Sequence, residues 1–115
     1  MIILYGIANC DSIKKAKKWL TAEGLAFEFH DYKKQGISPA LLKNWCGQVD
    51  WESLVNKRGT TWRKLGESQK EGLTQAKAIR LMQENTSLIK RPVLIKKNTI
   101  LVGFDQAIYQ DCLKD

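Results

Sequence analysis

The sequence contains no uninterrupted apolar run of about 18 residues, so no segment is suited to cross a bilayer as a helix. It also lacks an internal repeat and a low-complexity tract, which sets aside solenoids and disordered arms. The opening stretch MIILYGIANC has no basic n-region and too short an apolar stretch for a signal peptide. Cysteine is scarce and odd in number: Cys10, Cys46 and Cys112 cannot close a disulfide framework. Position 13 is Ile, so no C-x-x-C dithiol occurs. The cysteines and the single histidine, His30, lack metal-ligand spacing, and no metal site is expected. Together these absences point to a reducing cytoplasm. Acidic side chains are the other shortage, with 12 Asp and Glu against 19 Lys and Arg, a net charge of +7. Such a surplus admits nucleic acid, an anionic membrane surface or a small anionic substrate, and selects none of them.

What remains is 115 residues, 43% of them apolar, enough to close one core. One domain over 1–115 is expected. Residues 2–5 form a β-prone run ending at Gly6. Asp11 and Ser12 supply capping side chains for a helix over 11–22, ended by Gly24, with Ile13, Ala16 and Leu20 turned inward. Residues 26–30 alternate as a second strand, which makes a β-α-β unit. Ser38-Pro39 is a helix start, and that helix runs to about Gly47. Short helical turns are expected over 51–72, and a clearer helix over 74–85 with Leu73, Ala76, Ile79 and Met82 on one stripe. Two β-prone runs at 93–95 and 99–102 are linked tightly enough for an antiparallel hairpin. A last helix capped by Asp105 turns Ala107, Ile108 and Cys112 inward. The economical fold is α/β: a four-stranded mixed sheet flanked by helices on the thioredoxin-like plan. A helical insertion over about 38–88 separates its β-α-β and β-β-α halves.

Cys10 sits where a loop enters a helix. Unpaired N–H groups and the helix dipole there stabilise an anion, which lowers a thiol's pKa and activates it as a nucleophile. Lys14, one turn on, adds to that field. The competing reading is a small packing residue near a loop. Cys46 and Cys112 occupy helical positions near apolar stripes and read as core fillers. Arg91-Pro92 opens the third strand, and a cis bond there would turn backbone outward to pair with an extended ligand beside the thiol. Base rates alone favour trans, since about 5% of X-Pro bonds are cis. His30 has no assigned role. The basic segment Lys57-Arg58 to Arg63-Lys64, with Trp62 inside it, can contact anions or form a solvated face.

The motifs Y-G-I-x-x-C-D-S-I-K-K-A at 5–16, F-H-D-Y at 29–32, R-G-T-T-W-R-K-L at 58–65, K-R-P-V at 90–93 and L-V-G-F at 101–104 share one resemblance. Over essentially its whole length the chain resembles the ArsC/Spx family of thioredoxin-like proteins, most closely the small YffB-type branch. The resemblance implies a thioredoxin fold with a helical insertion, an active cysteine at Cys10 and a cis bond before Pro92. The YffB-type likeness implies a glutathione-dependent thiol-disulfide oxidoreductase with one nucleophilic cysteine. In it Cys10 and Arg91 are catalytic, and Asn9, Ser12, Lys14, Arg58 and Pro92 contact substrate. Glutathione is the co-substrate, glutaredoxin an allowed redox partner, and a monomer is expected, with no membrane and no nucleic acid involved.

Two alternatives stay open. Arsenate reductases of this family attack the arsenic oxyanion within three arginines. Of those positions only Arg91 is arginine here; Asn56 and Gly103 fall on the others, with Arg58 close to the first. Gly6 falls where those enzymes carry a histidine. Spx-like regulators bind RNA polymerase and commonly carry C-x-x-C, whose second cysteine is Ile13 here.

Overall fold

A computed structural model describes residues 2–8 and 10–113. They divide into two compact units, one of the described residues up to 35 together with 91–113, the other the inserted 36–90.

The first unit holds β1 (Ile2–Gly6), α1 (Asp11–Ala22), β2 (Phe27–Asp31), α2 (Tyr32–Gln35), β3 (Val93–Lys96), β4 (Thr99–Val102) and α8 (Gln106–Leu113). The sheet order is β2-β1-β3-β4. Strand β1 pairs with β2 in parallel and with β3 antiparallel, and β3 with β4 antiparallel. This is the thioredoxin-like mixed sheet flanked by helices. Ile2, Leu4 and Leu94 from the sheet meet Ala16, Trp19 and Leu20 of α1 and Tyr109 and Leu113 of α8 in one apolar cluster. Burial of those side chains is the main force holding the unit together. Trp19 and Phe104 both pack edge-on against Tyr109, at ring separations of 5.7 and 4.9 Å.

The inserted unit contains α3 (Pro39–Cys46), α4 (Trp51–Leu54), α5 (Thr60–Lys64), α6 (Glu67–Lys70), α7 (Gln75–Glu84) and a 3-10 turn at Thr86–Leu88. Ser38 caps α3 through a 3.1 Å bond from the Leu41 N–H, with Pro39 in the first turn. Thr74 caps α7 in the same way, accepting from the Lys77 N–H. Leu42 and Trp45 of α3 and Ala78, Leu81 and Met82 of α7 are buried.

Several expectations are corrected. The N-cap of α1 is Cys10, with Asp11 and Ser12 already inside the first turn, because Cys10 is the residue with extended backbone. Strand β2 is shifted one residue, to Phe27–Asp31. The inward face of α7 is Ala78-Leu81-Met82, while Ala76 is exposed. Asp105 does accept from the Ala107 and Ile108 N–H groups. The inward face of α8, however, is Tyr109 and Leu113; Ala107 and Cys112 are exposed and Ile108 is 48% exposed. The aromatic pocket made by Trp19 and Phe104 takes the large Tyr109 ring in preference to the smaller neighbours. Cys112 is therefore no core filler. No helix among the described residues is long and apolar enough to cross a membrane.

Candidate functional site

Strand β1 ends at the buried Gly6, and a short loop brings the chain to Cys10 at the head of α1. The Cys10 carbonyl accepts from the Lys14 N–H at 3.0 Å and so starts the helical hydrogen-bond ladder. Its side chain closes no capping bond, which leaves the sulfur available to other groups. Arg91, the residue before Pro92 and β3, donates its Nε–H to Cys10 Sγ at 3.4 Å. The Arg91–Pro92 bond is cis, and the Pro92 carbonyl accepts from the Gly103 N–H at 2.8 Å.

The electrostatics of the thiol follow from these neighbours. Burial of the half-covered sulfur works upward on its pKa. The Ile13 amide, the Arg91 hydrogen bond, the Ser12 amide and the Arg91 charge together outweigh it and hold the thiol below its ordinary value. Cys46 is the contrast: burial alone pushes its thiol up, toward the unreactive protonated form.

One participant has no counterpart in the sequence reading. The Tyr32 hydroxyl is hydrogen-bonded to the Arg91 guanidinium, and the Tyr32 side chain is fully buried at the start of α2. The F-H-D-Y motif contains this residue, but its partner is far along the chain, so only the fold reveals the pairing.

Of the other residues expected at the site, Ser12 reaches the sulfur through its backbone amide. Lys14 has an exposed side chain on α1, and Pro92 is buried beside Arg91. Asn9 lies outside the described residues. Arg58 belongs to the inserted unit, where Val55, Asn56, Lys57, Arg58 and Lys90 line a concavity of about 310 Å³. The Arg58 N–H donates to Asn56 Oδ1 at 3.2 Å. The Trp62 ring in that basic segment is engaged by the ammonium groups of Lys57 and Lys70, at 5.6 and 5.4 Å from its centroid. His30 stacks at a tilt on Tyr5, 5.0 Å between ring centroids. No group of metal-ligating side chains occurs among the described residues.

A thiol at the N-cap position of a helix, paired with one arginine, is suited to nucleophilic attack on sulfur or on an oxyanion centre. Known proteins bear on the choice. The model of the ArsC family matches residues 5–112. A solved structure of a YFFB protein is 47% identical, with a TM-score of 0.95 over 98% of this chain and 99% of that one. The solution structure of an arsenate reductase-related protein from Brucella melitensis is 42% identical, with a TM-score of 0.78 over 98% and 94%. An uncharacterised protein of Haemophilus influenzae is 43% identical over 96% of both chains. The global transcriptional regulator Spx of Streptococcus agalactiae stands further off, at 28% over 92% of this chain and 78% of its own. The chain belongs to the ArsC family.

Proposed function

We propose that this protein is a glutathione-dependent thiol-disulfide oxidoreductase of a reducing cytoplasm, acting as a monomer through the single nucleophile Cys10. The observation that carries the reading is the Arg91 Nε–H on Cys10 Sγ at the head of α1. In the first step the Cys10 thiolate attacks one sulfur of a glutathione mixed disulfide. A Cys10–S–S–glutathione bond forms, the substrate disulfide breaks, and the departing substrate thiolate takes a proton from water. A second glutathione thiolate then attacks the glutathione sulfur of the adduct. Oxidised glutathione leaves, and Cys10 returns as a thiolate. The groups that lower its pKa make it a better leaving group at this step. Glutaredoxin can replace glutathione as the resolving thiol. Arg91 and Lys14 favour the carboxylates of glutathione, and Arg58 enters as a further substrate contact from the sequence alone.

The test is alkylation of the thiols by iodoacetamide as a function of pH, with adducts mapped by mass spectrometry after incubation with oxidised glutathione. A Cys10 midpoint below the ordinary thiol value together with a Cys10 adduct supports the reading. A midpoint at the ordinary value with no adduct removes it.

Arsenate reduction is the alternative that Arg91 favours. Neutral Asn56 and Gly103 cannot supply the bidentate contacts that two further guanidiniums would give an oxyanion. A glutathione–glutaredoxin coupled assay decides it, and no efficient arsenate turnover is expected. The regulator reading predicts instead that function survives Cys10→Ser.

A further inference from the structure

Two tyrosines of the first unit are completely buried, and they differ in what their hydroxyls meet. Tyr109 is packed among aromatic rings, and its hydroxyl has no hydrogen-bond partner among the described residues. Tyr32 is hydrogen-bonded to the guanidinium of Arg91, whose own Nε–H points at Cys10. Arginine is a long side chain with many rotamers, and fixing it costs entropy unless a second contact holds the fork in place. Arg91 is only half-buried, so packing alone does not supply that restraint.

Tyr32 is well suited to supply it. Asp31 Oδ1 accepts from the Lys33 and Lys34 N–H groups and anchors the start of α2, where Tyr32 sits. The Tyr32 ring is 0% exposed and cannot follow a wandering partner. Burial raises its phenol well above the ordinary pKa, so the hydroxyl is neutral at neutral pH and accepts from the guanidinium without adding a competing anion. The charged and titratable groups acting on this cluster are Arg91, Cys10 and Asp31.

We propose that Tyr32 is a positioning residue for the thiol chemistry: its hydroxyl holds the Arg91 guanidinium so that the Nε–H stays on Cys10 Sγ. The inference rests on the reading of Cys10 as the nucleophile, and adds the residue that keeps its activating partner in register.

The experiment follows the pH midpoint of Cys10 alkylation by iodoacetamide, with mass spectrometry separating Cys10 from Cys46 and Cys112. The full-length chain is compared as wild type, Tyr32→Phe, Arg91→Met, the Tyr32→Phe/Arg91→Met double variant and Tyr109→Phe. Tyr32→Phe is expected to raise the midpoint by roughly half a unit, which is about a threefold loss of thiolate below it. Arg91→Met raises it further, the double variant matches Arg91→Met alone, and Tyr109→Phe leaves it unchanged. A merely structural tyrosine would not show that dependence on Arg91. An unshifted Tyr32→Phe midpoint overturns the proposal, as does a shift that persists in full without Arg91. If the wild-type midpoint is low while Tyr32→Phe is unshifted, only the role of Tyr32 falls. A wild-type midpoint at the ordinary value overturns the nucleophile reading as well. Should Tyr32→Phe not fold, the Arg91 Nε–H resonance of the wild type carries the test. A slowly exchanging signal that moves with the Cys10 titration supports a held guanidinium, and an averaged signal that does not move overturns it.

Discussion

The side chain of Ile13 fills the space over Gly6: a Cβ built on the glycine would stand 2.8 Å from Ile13 Cγ1. Gly6 is at the end of β1 and Ile13 is in the first turn of α1, so this contact seats the helix that carries Cys10 against the strand. Both positions bear on family identity. Gly6 stands where arsenate reductases of the family carry histidine, and Ile13 where Spx-like proteins carry a second cysteine. The Ile13 side chain occupies the space that any side chain at Gly6 would enter, so Gly6 cannot gain a side chain unless Ile13 moves or shrinks.

Gly6→Ala is therefore expected to destabilise the fold by about 1–3 kcal/mol through overpacking. Adding Ile13→Ala opens the space, so the loss in the double variant should be less than the sum of the two single losses. Urea denaturation measures each. A neutral Gly6→Ala would contradict the packing argument.

Replacing Arg91 by lysine keeps the charge and loses the fork. A single ammonium cannot meet both the sulfur and the Tyr32 hydroxyl with the planar geometry of a guanidinium. The Cys10 pKa in Arg91→Lys should rise above the wild-type value yet stay below that of Arg91→Met. Thiolate ultraviolet absorbance against pH reads all three. Equal values for Arg91→Lys and wild type would show that charge alone suffices.

The lowered thiol pKa also makes stability depend on pH. The unfolded chain returns Cys10 to an ordinary value of about 8.5, so between the folded and unfolded values the unfolded state binds more protons. The thiolate contribution is thus complete above the unfolded value and is lost as pH falls through the folded one. The stability difference between wild type and Cys10→Ser should grow as pH rises across that window. Denaturant midpoints of the two proteins, taken in parallel across it, check the sign. A difference that shrinks with rising pH would contradict the lowered pKa.

Much of the fold was legible because local signals carried it. Ser38-Pro39 starts α3, Asp105 caps α8, and the short link between β3 and β4 closes a hairpin, each through chemistry contained in a few adjacent residues. What failed was the facing of short helices. Ile108 and Cys112 look inward by apolarity, but the partner ring pocket of Trp19 and Phe104 comes from elsewhere and selects Tyr109. The site divides the same way. Cys10 stood out from its place before a helix, whereas the cis bond before Pro92 and the pairing of Arg91 with the thiol were expected from the family resemblance and not from local signals, which favour trans. Tyr32 was not, because a tyrosine at the end of an alternating strand reads as ordinary packing until the fold brings Arg91 to its hydroxyl.

In the proposed function Cys10 takes glutathione and Cys46 and Cys112 do not. Incubating the full chain with oxidised glutathione near neutral pH, followed by peptide mass spectrometry, compares Cys10, Cys46 and Cys112 in one measurement. The predicted result is a mixed disulfide concentrated on Cys10, released by added reduced glutathione and strongly diminished in Arg91→Met. A modification spread by exposure, greatest on Cys112 and indifferent to Arg91, would rule out Cys10 as the single glutathione-reactive thiol.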